Sequence, residues 1–185
     1  MNTKISYKLG LSDIVVVVIG IFGYIAVDSI MALLGHDMHT VVYSATEAVW
    51  VAALATIYGP IVGSIVGFVG AQAHHYFTGE GFWAVYSTGM LAYGFIIGRY
   101  SSRYGIKSEK IEKNSIIIFE LVQIMAAIII YVLYYPLLSF ITLGTNIYEI
   151  VYSGMHKAGA SCIMVGILLL PIFFIANKIY KSRHK

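Results

Sequence analysis

The chain has 185 residues, of which 59% are hydrophobic and 11% are charged, with a formal net charge of +3. A soluble domain of this size could not bury so much apolar surface, whereas a bilayer accepts about 20 apolar residues for each spanning helix. The apolar runs 15–18 and 116–119 do not alternate with polar residues, which excludes a transmembrane barrel. The composition therefore predicts an all-α integral membrane protein.

Polar or glycine-rich turns divide the apolar sequence into six runs. Ser12 and Asp13 are helix-capping residue types at the start of the first run, and Pro136 predicts a bend inside the fifth. The predicted transmembrane helices are 12–34, 41–57, 60–77, 82–104, 115–141 and 146–180. Since so short a chain leaves no room for a soluble domain, we expect one compact six-helix bundle over residues 1–185.

Small residues recur every four positions in two of these helices, and such rows let helix backbones approach closely in lipid. One row follows the turn Tyr58-Gly59-Pro60 and predicts that the third helix packs at the centre of the bundle. The other lies in the sixth helix. The predicted packing residues are Gly59, Gly63, Gly67, Ala71, Gly154 and Ala158.

The basic residues indicate how the bundle is oriented. With six spans, eleven of the twelve Lys and Arg residues fall on one side, and only Lys157 falls elsewhere. Because cytoplasmic loops carry the excess of Lys and Arg, both termini are predicted to be cytoplasmic. The loops around His36, Glu80 and Gly144 then face outward.

The outward half collects carboxylates, imidazoles and aromatic rings from three loops. Ionisable side chains at membrane depth cost several kcal/mol unless they are paired or face a cavity. We therefore predict an outward pocket for a flat small molecule with polar edges. Asn146, Glu149, Tyr152 and His156 follow one another at helical spacing and are expected to share a face that lines it. The predicted binding residues are Asp37, His39, Glu47, His75, Glu80, Trp83, Tyr86, Tyr131, Asn146, Glu149, Tyr152 and His156.

Catalysis and metal binding find less support in the sequence. It contains no Gly-x-Ser-x-Gly, His-Glu-x-x-His or P-loop motif, so we expect no enzyme activity and no ATP binding by this chain. Imidazole suits nickel, cobalt or zinc, but the spacing of the outward histidines matches no recognised metal site. No metal, cofactor or nucleic acid is expected as a partner.

Several segments resemble a known family. They are Ala53 to Pro60, the Gly63 to Gly70 row, the Gly79-Glu80-Gly81-Phe82-Trp83 entry and Gly94 to Gly98 before a basic loop. In this order they resemble the substrate-binding S components of energy-coupling-factor (ECF) vitamin transporters, within the riboflavin-transporter-like group. The resemblance covers nearly the whole chain.

This resemblance implies a multi-pass protein of a prokaryotic cell membrane that captures a micronutrient outside. It also implies docking on a transmembrane coupling subunit driven by two ATPases, with Gly20, Gly23 and Ala26 as the predicted contact on the first helix. Because the outward side carries five carboxylates and one lysine, a flavin or a 7-deazaguanine-type precursor suits it better than a polyanion.

Other functions stay open on the sequence alone. One alternative is a stand-alone secondary transporter, although no inverted repeat is visible. Another is an S component for a different vitamin (cobalamin, thiamine or a pyridoxine-like compound) or for a transition metal. A structural membrane protein without a ligand is the third, and it would not need the outward carboxylates.

Overall fold

The computed structural model describes residues 10–34, 39–77, 83–104 and 113–183, and all regular elements within them are helical. The elements are α1 (Leu11–Leu34), α2 (His39–Tyr58), α3 (Pro60–Phe77), α4 (Ala84–Tyr104), α5 (Lys113–Ala127), a π-helical segment (Ile128–Tyr134), α6 (Tyr135–Leu143) and α7 (Ile147–Arg183). Helical backbone angles at Ala127, Tyr134 and Tyr135 join α5, the π segment and α6 into one continuous rod. The prediction of six helices is therefore confirmed.

Helix ends follow local chemistry. The Asp13 carboxylate accepts a hydrogen bond from the Gly10 N–H at 2.9 Å and so caps α1 from within its first turn. Gly59 takes φ 97°, a conformation that favours glycine, which lets α2 end and α3 begin at Pro60 without a longer loop. Gly144 with φ 64° ends α6 in the same way.

The centre of the bundle is α2 rather than the predicted α3. Helix α2 packs on α1, α3, α4 and α7, whereas α3 packs on α1, α2 and α4. Four alanines make α2 slim enough for this position, because they let four neighbours approach at once. These fully buried residues are Ala45, Ala48, Ala52 and Ala55.

The small residues of α3 bring two backbones into contact instead. A Cβ on Gly67 would lie 2.5 Å from the Met90 carbonyl oxygen, and one on Gly63 would overlap Ala55. On the facing helix, a Cβ on Gly98 would lie 2.5 Å from Pro60. The α3–α4 contact is thus a backbone-to-backbone packing of the kind that small residues permit in membranes.

Apolar side chains also cover the outside of the bundle. On α1 the exposed apolar residues are Leu11, Ile14, Val15, Val18, Ile19, Phe22 and Ile30. By length and composition alone, the segment Ile116–Leu143 is the one helix of the described ranges that could cross a membrane. Leu11–Val27 is a shorter apolar helix.

Candidate functional site

Four rings meet where the C-terminal end of α3 approaches the start of α4 and α6. These rings, here named the aromatic cluster, belong to His75, Trp83, Tyr86 and Tyr135. The His75 ring centroid lies 5.0 Å from that of Trp83 and 5.5 Å from that of Tyr86. Tyr135 lies 5.9 Å from Trp83 and 6.2 Å from Tyr86, both with steeply inclined ring planes. Edge-to-face pairs at such distances attract one another and fix ring orientations.

A buried carboxylate borders the aromatic cluster. Glu47 of α2 is 1% exposed, and one of its carboxylate oxygens, Oε2, accepts a hydrogen bond from the Tyr86 hydroxyl. A carboxylate is costly to bury unless hydrogen bonds replace its lost hydration, so this bond is part of what allows Glu47 to lie here. It also ties α2 to α4 beside the rings.

A single amine borders the cluster on another side. The Nζ atom of Lys157, on α7, lies 5.9 Å from the Tyr86 ring centroid and 5.4 Å from that of Tyr135. A cation at this distance from a ring face is attracted by the ring quadrupole. Tyr86 therefore lies between an acidic side chain at its hydroxyl and an amine near its ring.

The amide of Gln72 holds the entrance to α4 in place. Its oxygen accepts hydrogen bonds from the Trp83 backbone N–H at 3.2 Å and from the Ser87 hydroxyl at 2.8 Å. The indole Nε1 of Trp83 is buried and has no hydrogen-bond partner among the described residues. That N–H is consequently a donor that a bound molecule can use.

Tyr131 links three elements of the bundle close to Tyr86. It is 1% exposed, and its hydroxyl donates to the Ser44 carbonyl oxygen at 3.3 Å. The same hydroxyl lies 3.6 Å from the Met90 sulfur. It therefore joins the π segment to α2 and α4.

The predicted binding residues fall into three groups. Glu47, His75, Trp83 and Tyr86 are brought together, and Tyr131 lies close to Tyr86. Asp37 and Glu80 lie outside the described residues, as does the side chain of His39, although its backbone begins α2. The third group is the row predicted on the last helix, which lies apart.

That row shares one exposed face at the start of α7. The Asn146 amide donates to Glu149 at 3.3 Å, and the Tyr152 and His156 ring centroids are 4.4 Å apart. Tyr152 is 68% exposed, and α7 reaches the aromatic cluster with Lys157 instead. A role for the four residues of this row in binding stays a prediction.

The predicted partner-contact residues of α1 are divided between two environments. The Gly20 carbonyl accepts a hydrogen bond from the Trp50 indole at 2.8 Å, and a Cβ on Gly23 would overlap the same indole. Both glycines thus serve packing inside the chain, whereas Ala26 is exposed. Their contact with a partner stays a prediction that now rests mainly on Ala26.

Sequence reasoning left Gln72, Tyr135 and Lys157 out of the site. The signal for Gln72 and Lys157 was available, because each is a strongly polar residue inside an apolar run. Tyr135 carried no such signal, since tyrosines also form interfacial belts. Within the described ranges, no group of three or more His, Cys, Asp or Glu residues is placed to hold a metal ion.

The chain is similar in sequence to one known protein family and to several bacterial proteins. The family model for the S component of ECF-type riboflavin transporters matches residues 8–181. A UPF0397 protein of Lactobacillus acidophilus is 32% identical over 138 residues, covering 72% of this chain and 73% of the relative. UPF0397 proteins of Lactobacillus helveticus (31% over 129 residues; 67% and 69% covered) and Lactobacillus johnsonii (37% over 89 residues; 47% of each) are also similar. No solved structure matches.

Proposed function

The chain belongs to the family of S components of ECF-type riboflavin transporters, and from that membership we propose that it captures a flat heteroaromatic micronutrient at the aromatic cluster. As a member of the family it is an integral protein of the bacterial cell membrane and a non-catalytic transporter subunit. The identity of its substrate and the place where the substrate binds are the proposal.

One observation carries the proposal: four rings from three parts of the chain converge beside one buried carboxylate and one amine. Ring faces stack on a planar ligand, and a few polar groups at the edge fix its orientation. Glu47 would accept from a ligand N–H, while Lys157 and the Trp83 indole would donate to ligand carbonyl or ring-nitrogen atoms. An aliphatic or highly charged substrate would not make full use of the ring faces or of the polar groups beside them.

A flavin is the first candidate, because the family description names riboflavin. The isoalloxazine of riboflavin is planar and presents both donors and acceptors along one edge, which suits the carboxylate and amine that flank the rings. A 7-deazaguanine-type precursor offers the same kind of edge on a smaller ring and is the runner-up. A polyanion is disfavoured, because Glu47 is a buried negative charge at the site.

Transport by this chain would depend on other subunits. The sequence has no nucleotide-binding motif, so ATP would be bound and hydrolysed by two ATPase subunits that act through a transmembrane coupling subunit. We also propose that residues 1–185 act as one six-helix domain in that assembly. A stand-alone secondary transporter is the alternative from a different class.

Mass spectrometry of small molecules released from the purified, denatured protein tests the proposal without assuming a ligand. We expect riboflavin or another flavin in near-stoichiometric amount when the protein is produced in rich medium. A 7-deazaguanine compound would replace the first candidate with the second. An aliphatic or polyanionic compound in stoichiometric amount would overturn the proposal.

A further inference from the structure

Helices α3 and α4 pack antiparallel, and the contacts between them change in kind along the pair. Midway along α3, a Cβ on Gly67 would lie 2.5 Å from the Met90 carbonyl oxygen, so backbone meets backbone there. Near the end of α3, the Gln72 side-chain oxygen instead accepts hydrogen bonds from the Trp83 N–H at 3.2 Å and the Ser87 hydroxyl at 2.8 Å. Small residues allow two helices to approach closely, whereas a hydrogen bond requires particular atoms to meet. The bonds to Gln72 therefore fix where α4 begins relative to α3.

Trp83 is the residue that precedes the first turn of α4. Its carbonyl oxygen accepts the N–H of Ser87, four residues on, at 3.3 Å, and this is the first hydrogen bond of the helix. The N–H of a residue in this position has no partner within its own helix. In many helices, a Glu or Gln side chain three residues later accepts a hydrogen bond from it.

The sequence of α4 does not supply this acceptor. The residue three positions after Trp83 is Tyr86, and its hydroxyl is engaged with Glu47 of α2. Gln72 of α3 does instead what a Glu or Gln within α4 would do. The start of α4 is thus capped by a residue of the neighbouring helix, and the backbone of Trp83 is held by α3.

The two donors to Gln72 do not depend on it equally. The Ser87 hydroxyl has a second acceptor, the Trp83 carbonyl oxygen, at 3.1 Å. Because one hydroxyl hydrogen serves both acceptors, Ser87 keeps a hydrogen bond when Gln72 is removed. Within the described part of the chain, the Trp83 N–H has Gln72 as its acceptor and no second one. Loss of the Gln72 oxygen therefore falls mainly on Trp83.

Gln72 also lies one turn before a member of the aromatic cluster on its own helix. Residues three apart are neighbours on a helix surface, so Gln72 and His75 share the face of α3 that meets α4. The His75 ring lies 5.0 Å from that of Trp83 and 5.5 Å from that of Tyr86, between ring centroids. A shift of the start of α4 would separate these edge-to-face pairs, so the Gln72 bond holds rings from two helices together.

We propose that Gln72 is a positioning residue for ligand binding, whose side-chain oxygen holds the Trp83 backbone and thereby keeps the Trp83 indole in the aromatic cluster. Gln72 acts through Trp83 and need not touch the ligand itself. The ligand part of this inference rests on the proposed function, whereas the effect of Gln72 on Trp83 does not.

The test follows the Trp83 side chain and the ligand affinity separately. Since the chain has two tryptophans, labelling with fluorotryptophan gives one fluorine NMR resonance for Trp83 and one for Trp50, and a Trp83→Phe variant assigns them. Trp50, whose indole donates to the Gly20 carbonyl oxygen, is the internal reference. Riboflavin affinity is measured by fluorescence titration in detergent. The variants are Gln72→Met, which has no strong acceptor, and Gln72→Glu, which keeps an oxygen acceptor.

We expect Gln72→Met to weaken riboflavin binding by at least about fivefold and to move the Trp83 resonance, while the Trp50 resonance stays in place. Gln72→Glu should restore both readouts, because the carboxylate can accept from the Trp83 N–H. A Trp83 resonance at the parental position in Gln72→Met, or affinity within about twofold of the parent, would overturn the proposal.

Two further variants are controls. Ser87→Ala removes the other donor to Gln72 and should leave the Trp83 resonance and the affinity unchanged. Gln123→Met removes a buried amide that donates to the Ser161 carbonyl oxygen of α7 at 3.4 Å, and it should also leave both unchanged. If either control weakens binding as much as Gln72→Met does, the proposal is overturned, because the bond to the Trp83 N–H is then not what matters.

Two complications have defined outcomes. If the parent does not bind riboflavin, the proposed ligand is wrong, and the Trp83 resonance alone decides whether Gln72 positions Trp83. If the two resonances of Gln72→Met merge, that variant is unfolded, and Gln72→Asn, whose amide is too short to reach Trp83, takes its place. Gln72→Asn should then move the Trp83 resonance with the Trp50 resonance in place, and an unmoved Trp83 resonance in it would overturn the proposal.

Discussion

The Tyr86 hydroxyl donates a hydrogen bond to the Glu47 carboxylate, and both side chains are almost completely buried, at 7% and 1% exposure. The bond joins the central helix α2 to α4 at the point where the aromatic cluster begins. It gives the site a fixed wall on one side and keeps a negative charge next to the rings.

Removal of this bond should therefore destabilise the fold. Tyr86→Phe keeps the ring but leaves a buried carboxylate oxygen without its donor, which costs about 1–3 kcal/mol. The melting temperature in detergent measures the loss. As the control, Tyr86→Phe is also introduced into a Glu47→Gln background. Without the charge on residue 47, loss of the hydroxyl donor should lower the melting temperature less. Equal losses in the two backgrounds would contradict an energetic link between the two side chains.

Lys157 is expected to contribute to ligand binding. Lys157→Met keeps most of the stem but removes the charge above Tyr86 and Tyr135, and cation–ring contacts contribute about 0.5–2 kcal/mol. We expect riboflavin affinity to fall by at least about threefold. Lys178→Met, on the exposed surface near the other end of α7, is the matched control and should leave affinity unchanged.

The close contact between α3 and α4 predicts that Gly67→Ala destabilises the protein, whereas Gly159→Ala on α7 serves as the control. Gly67→Ala places a methyl group against the Met90 backbone and should destabilise the protein by about 1–3 kcal/mol. Gly159→Ala, where a Cβ would meet nothing within 4 Å, should be neutral or stabilising because alanine favours helix. Thermal unfolding of the two variants decides the matter. An equal response of both would mean that α3 and α4 do not touch as described.

Orientation is tested by labelling intact cells. Single cysteines replace Ser108, in the basic segment after α4, or Glu80, in the segment between α3 and α4, in a Cys162→Ala background. An impermeant thiol reagent should label position 80 and not position 108, because the excess of Lys and Arg predicts that the basic segment is cytoplasmic. The reverse pattern would show that the bundle is inverted.

The sequence was sufficient for the helices, because apolar runs and glycine turns are local signals. The number of helices and the turn at Gly59-Pro60 followed from them. Glu47, His75, Trp83 and Tyr86 were predicted only as four of twelve pocket residues, and the sequence did not single them out as one group. Which helix lies at the centre did not follow. Small residues permit two helices to approach closely but do not determine which helices they are. The alanines of α2 permit such an approach as well as the glycines of α3 do.

Rotation of helices was the other part that the sequence could not settle. Asn146, Glu149, Tyr152 and His156 do share a face, as their spacing predicts, but packing decides which way α7 turns, and it turns Lys157 toward the rings. The π segment has the same origin. No local pattern in the sequence predicted it, and the structure places it at Ile128–Tyr134.

The central claim, that the aromatic cluster binds a flat heteroaromatic ligand, is tested most directly by calorimetric titration of riboflavin into the parent, Trp83→Ala, Tyr135→Ala and Tyr148→Ala. Tyr148 is 83% exposed and lies outside the cluster, so it is the matched control. We predict that the parent binds riboflavin and that both cluster variants lose at least about fivefold in affinity while remaining folded, because each removes a stacking ring. The Tyr148→Ala variant should stay within about twofold of the parent. Cluster variants that bind riboflavin as tightly as the parent would contradict the claim.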